Sequence, residues 1–289
     1  THWALDVNAL WNCLFVQYIE LTGDEKTKRD LWPAFIRSQR WLNGQGLLIK
    51  GGREFAKVPI NQWWKDSENS LIGEDGNLPD YPIAPLDVNS FAFLSDVLSA
   101  RLMETEGFYG DANVLRFRAL RRKELINKLF WMDDLKMFTP ALDKRNNPVM
   151  IETSDQAIAL WTGVIEKEKV KLVADRLLAS DFLTTYGVRS RSRNSKQYNP
   201  RDYQNGNVWN QIAAIAAEGC EKSGLFEEAQ IFDSRVQRLA DLNFVELHDE
   251  DDDGVVKPYF EEDKEGNLVP VACNNQGWVL GGVIARSAA

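Results

Sequence analysis

The sequence predicts an all-α fold of repeated helical hairpins, and three observations predict it. Apolar residues recur at i, i+3 and i+4 through most of the chain. Very short Gly/Asp turns alternate with loops longer than about 15 residues. Asp6-Val7-Asn8-Ala9-Leu10 and Asp87-Val88-Asn89-Ser90-Phe91 also match in letters, an internal repeat of roughly 80 residues.

The first helix is read over 6–21, where Leu10, Trp11, Leu14, Phe15, Tyr18 and Ile19 make one amphipathic stripe. Thr22-Gly23-Asp24 ends it and caps a second helix over 25–42, whose stripe runs through Leu31, Phe35, Ile36 and Trp41. The pair is an antiparallel hairpin with a short connection. The unit recurs as 87–105 with 112–130, 154–165 with 167–178, and 208–222 with 226–244, and a ninth helix is expected over 275–286. Long loops at 43–86, 131–153, 181–207 and 246–274 collect the Gly, Pro, Asn and Trp that helices exclude. Such loops are usually functional or disordered, and their tryptophans and tyrosines favour function. Strand alternation is confined to 46–50 and 255–259, so any β structure is expected as short hairpins in loops. Hairpins in this order build an (α/α) toroid. No linker breaks the chain, and residues 1–289 are read as one toroid domain. Nine helices are about three short of a six-hairpin ring, so the expectation is a ring incomplete at its N-terminus, with an absent N-terminal segment as a partner.

Composition removes several chemistries. A formal charge of −9 argues against nucleic-acid partners, whose affinity comes mainly from Lys and Arg neutralising phosphates. No run approaches the ~18 apolar residues of a membrane span, and no signal segment opens the chain, so no membrane partner and a cytoplasmic location are expected. The start, Thr1-His2-Trp3-Ala4-Leu5-Asp6, reads like the interior of a fold. With only His2 and His248, a Ser-His-Asp triad or a His-rich metal site is hard to build. Cys13, Cys220 and Cys273 are odd in number and far apart, which suits buried thiols rather than a zinc site or a disulfide framework. Asp249 to Gly254 starts like a calcium loop but has Phe260 at the twelfth position, so a solvated acidic loop is the preferred reading. No metal and no cofactor are expected.

Loop carboxyls remain as general acid and base. The first candidate is Asp66 in Asn61-Gln62-Trp63-Trp64-Lys65-Asp66-Ser67, an acid in company with two indoles and an amide, with a helix N-cap as the alternative. Aromatic neighbours raise a carboxyl pKa by desolvation, and Lys65 would lower it if its ammonium were close. Ten tryptophans offer faces for sugar rings, although core packing is the commoner use. His248 is read as a loop residue, and Arg189, Arg191, Arg193 and Arg201 as mainly solvated, with Arg189 kept as a substrate contact.

These segments resemble the bacterial amylo-α-1,6-glucosidase and glycogen-debranching glycosidases nearly end to end. Asp6, Thr22-Gly23-Asp24 and Leu31-Trp32-Pro33 are similar to that family's inner helix, turn and outer helix. Asn61 to Ser67 resembles its Asn-Gln-Gly-Trp-Lys-Asp-Ser motif, with Trp63 in place of a glycine. Pro82-Ile83-Ala84 precedes Asp87, where a glutamate is usual. Tyr186 to Arg189, Tyr198-Asn199-Pro200 and Tyr203-Gln204-Asn205-Gly206-Asn207-Val208-Trp209 form the longest match, with Asn210 where the family has proline. Pro270 to Trp278 is similar to the family's ending.

The resemblance implies an inverting hydrolase of an α-linked glucoside, either an oligosaccharide branch or a small glucosyl conjugate. It implies Asp66 as acid and, in Val245-Glu246-Leu247, Glu246 as base, with Glu261 and Glu262 as competitors. The carboxyls of such a pair stand ~6.5–9.5 Å apart to admit a water. Asp6, Trp63, Trp64, Lys65, Asp87, Arg189, Tyr198, Tyr203, Gly206, Trp209, Gln276 and Trp278 are the expected substrate-binding residues, and the carbohydrate is the expected partner. The rival is a non-hydrolytic toroid, either a sugar epimerase or isomerase or an inactive carbohydrate-binding remnant. Scarce histidine weighs against the epimerase.

Overall fold

The computed structural model describes residues 4–44, 63–238, 247–250, 256–258, 260–262 and 268–270. The opening apolar stripe forms α1 (Val7–Thr22). Gly23 ends it in the left-handed conformation, φ 65°, and its N–H reaches Ile19 O at 2.9 Å. Asp24 caps α2 (Glu25–Gly44) by accepting the N–H groups of Lys26 at 3.1 Å and Thr27 at 3.0 Å. Hydrogen bonds from the Thr27 hydroxyl and N–H hold the Asp24 carboxyl down, at about 2.

Strand β1 (Ala84–Pro85) leads into α3 (Leu86–Thr105), which pairs with α4 (Tyr109–Leu129). Asp96 of α3 is fully buried and binds Arg118 at 2.7 Å and Arg122 at 3.4 Å, so a desolvated ion network joins this hairpin besides its apolar packing. The next loop holds β2 (Trp131–Met132), β3 (Met137–Phe138) and β4 (Ala141–Leu142); β2 pairs with β3 and β4 with β1, both antiparallel. The third hairpin is α5 (Gln156–Thr162) with α6 (Lys167–Leu178). Helix α5 is shorter than the expected 154–165, because Asp155 is engaged in side-chain bonds just before it and Gly163 ends it at φ 74°.

Strands β5 (Val188–Arg189) and β6 (Val208–Trp209) precede α7 (Asn210–Lys222) and α8 (Phe226–Arg238). The helix expected from Val208 therefore starts at Asn210. After it come β7 (Leu247–Glu250), β8 (Val256–Pro258), β9 (Phe260–Glu262) and β10 (Leu268–Pro270). The expectation of isolated loop hairpins needs correction, since β5, β6, β7 and β8 form one four-stranded antiparallel sheet. Two-residue strands have no readable period, and their partners are distant in sequence. The expected features at 46–50, 239–244 and 275–286 lie outside the described residues.

Helices α1, α3, α5 and α7 pack in succession as an inner layer, and α2, α4, α6 and α8 each pack on the hairpin mate outside it. This is the (α/α) toroid arrangement, with eight helices among the described residues. Gly219 lets α7 lie close to α5, for a Cβ there would stand 2.8 Å from the Trp161 nitrogen and from Leu160 Cγ. The larger core lies between these layers and includes Phe138, Leu160, Leu177, Ile212 and Phe232. No helix among the described residues is long and apolar enough to cross a membrane.

Candidate active site

Three inner helices open on an aspartate, and between them the three hold two adjacent loop residues, Asp6 and Asp87 binding Trp64 and Asp155 binding Lys65. Asp6, just before α1, accepts the Trp64 backbone N–H at 3.1 Å. Asp87, in the first turn of α3, accepts the Trp64 indole N–H and, through its other oxygen, the Val88 N–H at 2.8 Å. Asp155, just before α5, accepts from the Lys65 ammonium at 2.6 Å and from the Thr153 hydroxyl. Carboxylates suit helix N-termini, where the backbone dipoles present their positive end. Asp6, Lys65, Asp87 and Asp155 are all buried.

Burial dominates the electrostatics of this group. It pushes the Asp6 carboxyl above its ordinary value. Asp87 is pushed up to about 8, first by burial and then by the nearby Asp155 and Asp6 carboxylates, against the pull of the Val88 N–H and Lys65. These influences together favour the protonated form of Asp87. The Lys65 ammonium is engaged with Asp155 rather than Asp66.

Asp66, the next residue, is exposed and lines a cavity of about 660 Å³. Trp63, Trp64, Tyr203 and Trp209 line the same cavity, together with Asp6, Phe91, Trp161 and Glu218. The Trp209 ring stands edge-on to Trp64, with 5.7 Å between centroids, and tilts against Tyr203 at 5.2 Å. Its indole N–H donates to Asn207 at 2.9 Å. Side chains staple the two aromatic loops together. The Gln204 amide donates to Trp64 O at 2.8 Å, its carbonyl accepts from the Ser67 hydroxyl at 3.1 Å, and Asn69 donates to Asp202 at 2.7 Å.

Of the other expected residues, Lys65, Asp87, Arg189, Tyr198 and Gly206 do not line the cavity among the described residues. Arg189 Nε donates to the Tyr198 hydroxyl at 3.3 Å, and a Cβ at Gly206 would stand 2.7 Å from the Tyr198 ring, so these three shape the loop. Asp66 caps no helix, which removes its alternative reading. Glu246, Gln276 and Trp278 lie outside the described residues. Leu247, the residue after Glu246, pairs with Trp209 across β6 and β7. His248 is buried, edge-on to Tyr186 at 6.1 Å.

Sequence reasoning missed Asp155, Phe91, Trp161 and Glu218. Asp155 stands at a helix start like Asp6 and Asp87, a third instance of the pattern that could have revealed it. Glu218 shares with Gln211, Ala214 and Ile215 the face of α7 that lines the cavity, and a charge on an otherwise mostly apolar inner face was the available signal. Lys222 binds it at 2.6 Å.

An (α/α) toroid with an acidic, aromatic cavity among its long loops is the class that fold and site define. The model of the mannosylglycerate hydrolase MGH1-like glycoside hydrolase domain matches residues 80–266, more than half of the chain, and the protein belongs to that family. The motif resemblance is thus right at the level of glycoside hydrolase, while the family shown is the MGH1-like one rather than the debranching one. The GH63 mannosylglycerate hydrolase of Thermus thermophilus, solved with glucose, is 15% identical over 95% of this chain and 74% of its own, with a TM-score of 0.66. The neutral trehalase of Saccharomyces cerevisiae is 19% identical over 71% of this chain, with a TM-score of 0.55. The chain spans only 38% of that trehalase. At these identities the likeness is one of fold. Among curated proteins none matches the chain.

Proposed function

We propose that this protein hydrolyses an α-linked glucoside with inversion, Asp66 serving as acid and Glu246 as base. The observation that carries this reading is the exposed Asp66 carboxyl in the wall of an aromatic cavity, beside residues pinned by buried aspartates. Inversion needs a protonated carboxyl at the leaving oxygen and a carboxylate that activates water on the opposite face of the ring. The assignment of Glu246 as the second group rests on the motif resemblance of Val245-Glu246-Leu247. Trp63, Trp64, Tyr203 and Trp209 serve as the ring contacts. By resemblance to the motif ending, Gln276 and Trp278 complete them.

The Asp, Glu, Lys and Arg residues of the described lining are Asp6, Asp66 and Glu218, all acidic. That wall suits an oxocarbenium-like transition state. It also suits a neutral aglycone, a branch stub or small conjugate, better than an anionic one. The family's name favours a second reading, hydrolysis of mannosylglycerate, and its glucosyl analogue joins the two readings. A panel of α-glucosides, α-mannosides and both glycerate conjugates, assayed for released sugar, separates the two. Asp66→Asn and Glu246→Gln are each expected to lose ~10²–10⁴-fold in turnover, the usual contribution of a general acid or base. Glu218→Gln is expected to keep most of it. Loss in Glu218→Gln but not in Glu246→Gln would move the base to α7, and no hydrolysis of any compound by the wild type would favour the binding remnant.

A further inference from the structure

We infer that the buried Lys65–Asp155 ion pair is a positioning device for Asp66, tying the loop that carries this carboxyl to the start of inner helix α5. The inference rests on the reading of Asp66 as the acid. The loop is fixed on both sides of one exposed residue. Before it, Trp64 is held at its N–H by Asp6, at its indole by Asp87 and at its carbonyl by Gln204. Lys65, 1% exposed, reaches Asp155 at 2.6 Å, and Thr153 holds the same carboxylate oxygen. After it, the Ser67 hydroxyl is bound by Gln204 at 3.1 Å. Asp66 alone of this stretch is left in solvent at the cavity.

Stability gives little reason for such a pair. Desolvating two charges offsets most of their attraction, and well-packed apolar residues often do as well. Position gives a better one. Proton donation requires hydrogen-bond reach of the leaving oxygen, and a displacement of about 1 Å can cost ~10²-fold. Lys65 and Asp155 are thus positioning residues that act through Asp66 and touch no reacting atom.

Leaving-group dependence tests this. A glycosidic oxygen departing as a sugar alkoxide needs the acid's proton, whereas fluoride departs with far less help. The double variant Lys65→Met with Asp155→Leu removes both charges together and so avoids stranding one of them. It is to be compared with the wild type and Asp66→Asn on isomaltose and on α-glucosyl fluoride, with kcat and KM separated and thermal melting recorded. The expected result is a kcat loss of ~10²-fold on isomaltose, fluoride turnover within a few-fold of wild type, little change in KM and a cooperative melt. Asp66→Asn should show the same selective loss, more strongly. Equal losses on both substrates in the double variant, with Asp66→Asn selective, would overturn the positioning role alone. A non-selective Asp66→Asn, or a wild type inert toward both compounds, would overturn the underlying function and the inference with it. If the double variant does not fold, Thr153→Val, which removes one bond to Asp155, must show a smaller selective loss, and equal losses there would overturn the inference.

Discussion

Replacing Asp87 with asparagine should change the pH dependence of stability more than stability itself. Asp87 has an ordinary carboxyl value of 3.8 in the unfolded chain and is pushed up to about 8 in the folded protein, chiefly by burial. Between those values the native state holds a proton that the unfolded state releases. Linkage then makes stability fall as pH rises through this window. Each pH unit inside it removes up to ~1.4 kcal/mol, and the whole span is worth at most about 6 kcal/mol. That is a large part of the roughly 5–15 kcal/mol that holds a domain folded. The substituted amide cannot titrate, but it offers a single acceptor oxygen where Asp87 accepts from both Val88 and the Trp64 indole through separate oxygens. The lost hydrogen bond should cost about 1–3 kcal/mol at every pH. Urea unfolding of both proteins from pH 4 to pH 9 is the assay. The variant should be the weaker only at the acid end, the curves should cross between about pH 4.5 and 6, and at pH 8 to 9 the variant should be the more stable by roughly 2–5 kcal/mol. Parallel curves over the whole range would refute the argument that Asp87 is held protonated.

Two further outcomes follow from packing. Cys13 and Cys220 are buried thiols pushed up to about 12, mainly by burial, so both should resist iodoacetamide at pH 7.5 in the native protein and react once it is unfolded. Peptide mapping reads each site, and rapid native labelling of either would contradict its placement. Gly219→Ala should destabilise by about 1–3 kcal/mol in denaturant melts despite alanine's better helix propensity, because the new methyl would meet the Trp161 nitrogen and Leu160. A stability gain would mean that α5 and α7 are not so closely packed.

The hairpins were legible because their information is local. The stripe from Leu10 to Ile19, the Gly23 turn and the Asp24 cap each act within a few residues, and α1, α2 and α6 lie close to where the pattern puts them. Strands β5 and β6 were not legible, since residues 188–189 and 208–209 are defined by each other and by β7 rather than by any period of their own. Half of the site could be read in the same way. Two indoles beside Asp66 and the aromatic run ending at Trp209 announced a cavity from residue chemistry alone. The role of Asp87 was not readable, because its burial and its bond to Trp64 exist only once α3 and the loop are packed. Asp155 failed for another reason: a Thr-Ser-Asp run before a helix looks like ordinary capping, and nothing local says that it will meet Lys65.

The most direct test of the account is the anomer that wild-type protein releases first from an α-glucoside, followed by proton NMR before mutarotation mixes the signals. If Asp66 protonates the bond as proposed and water attacks from the opposite side, the β-anomer must appear first, with the α-anomer growing in later. Immediate release of the α-anomer would contradict the account, for it would mean a covalent intermediate and a carboxylate ~5–5.5 Å from its partner instead of one that leaves room for water.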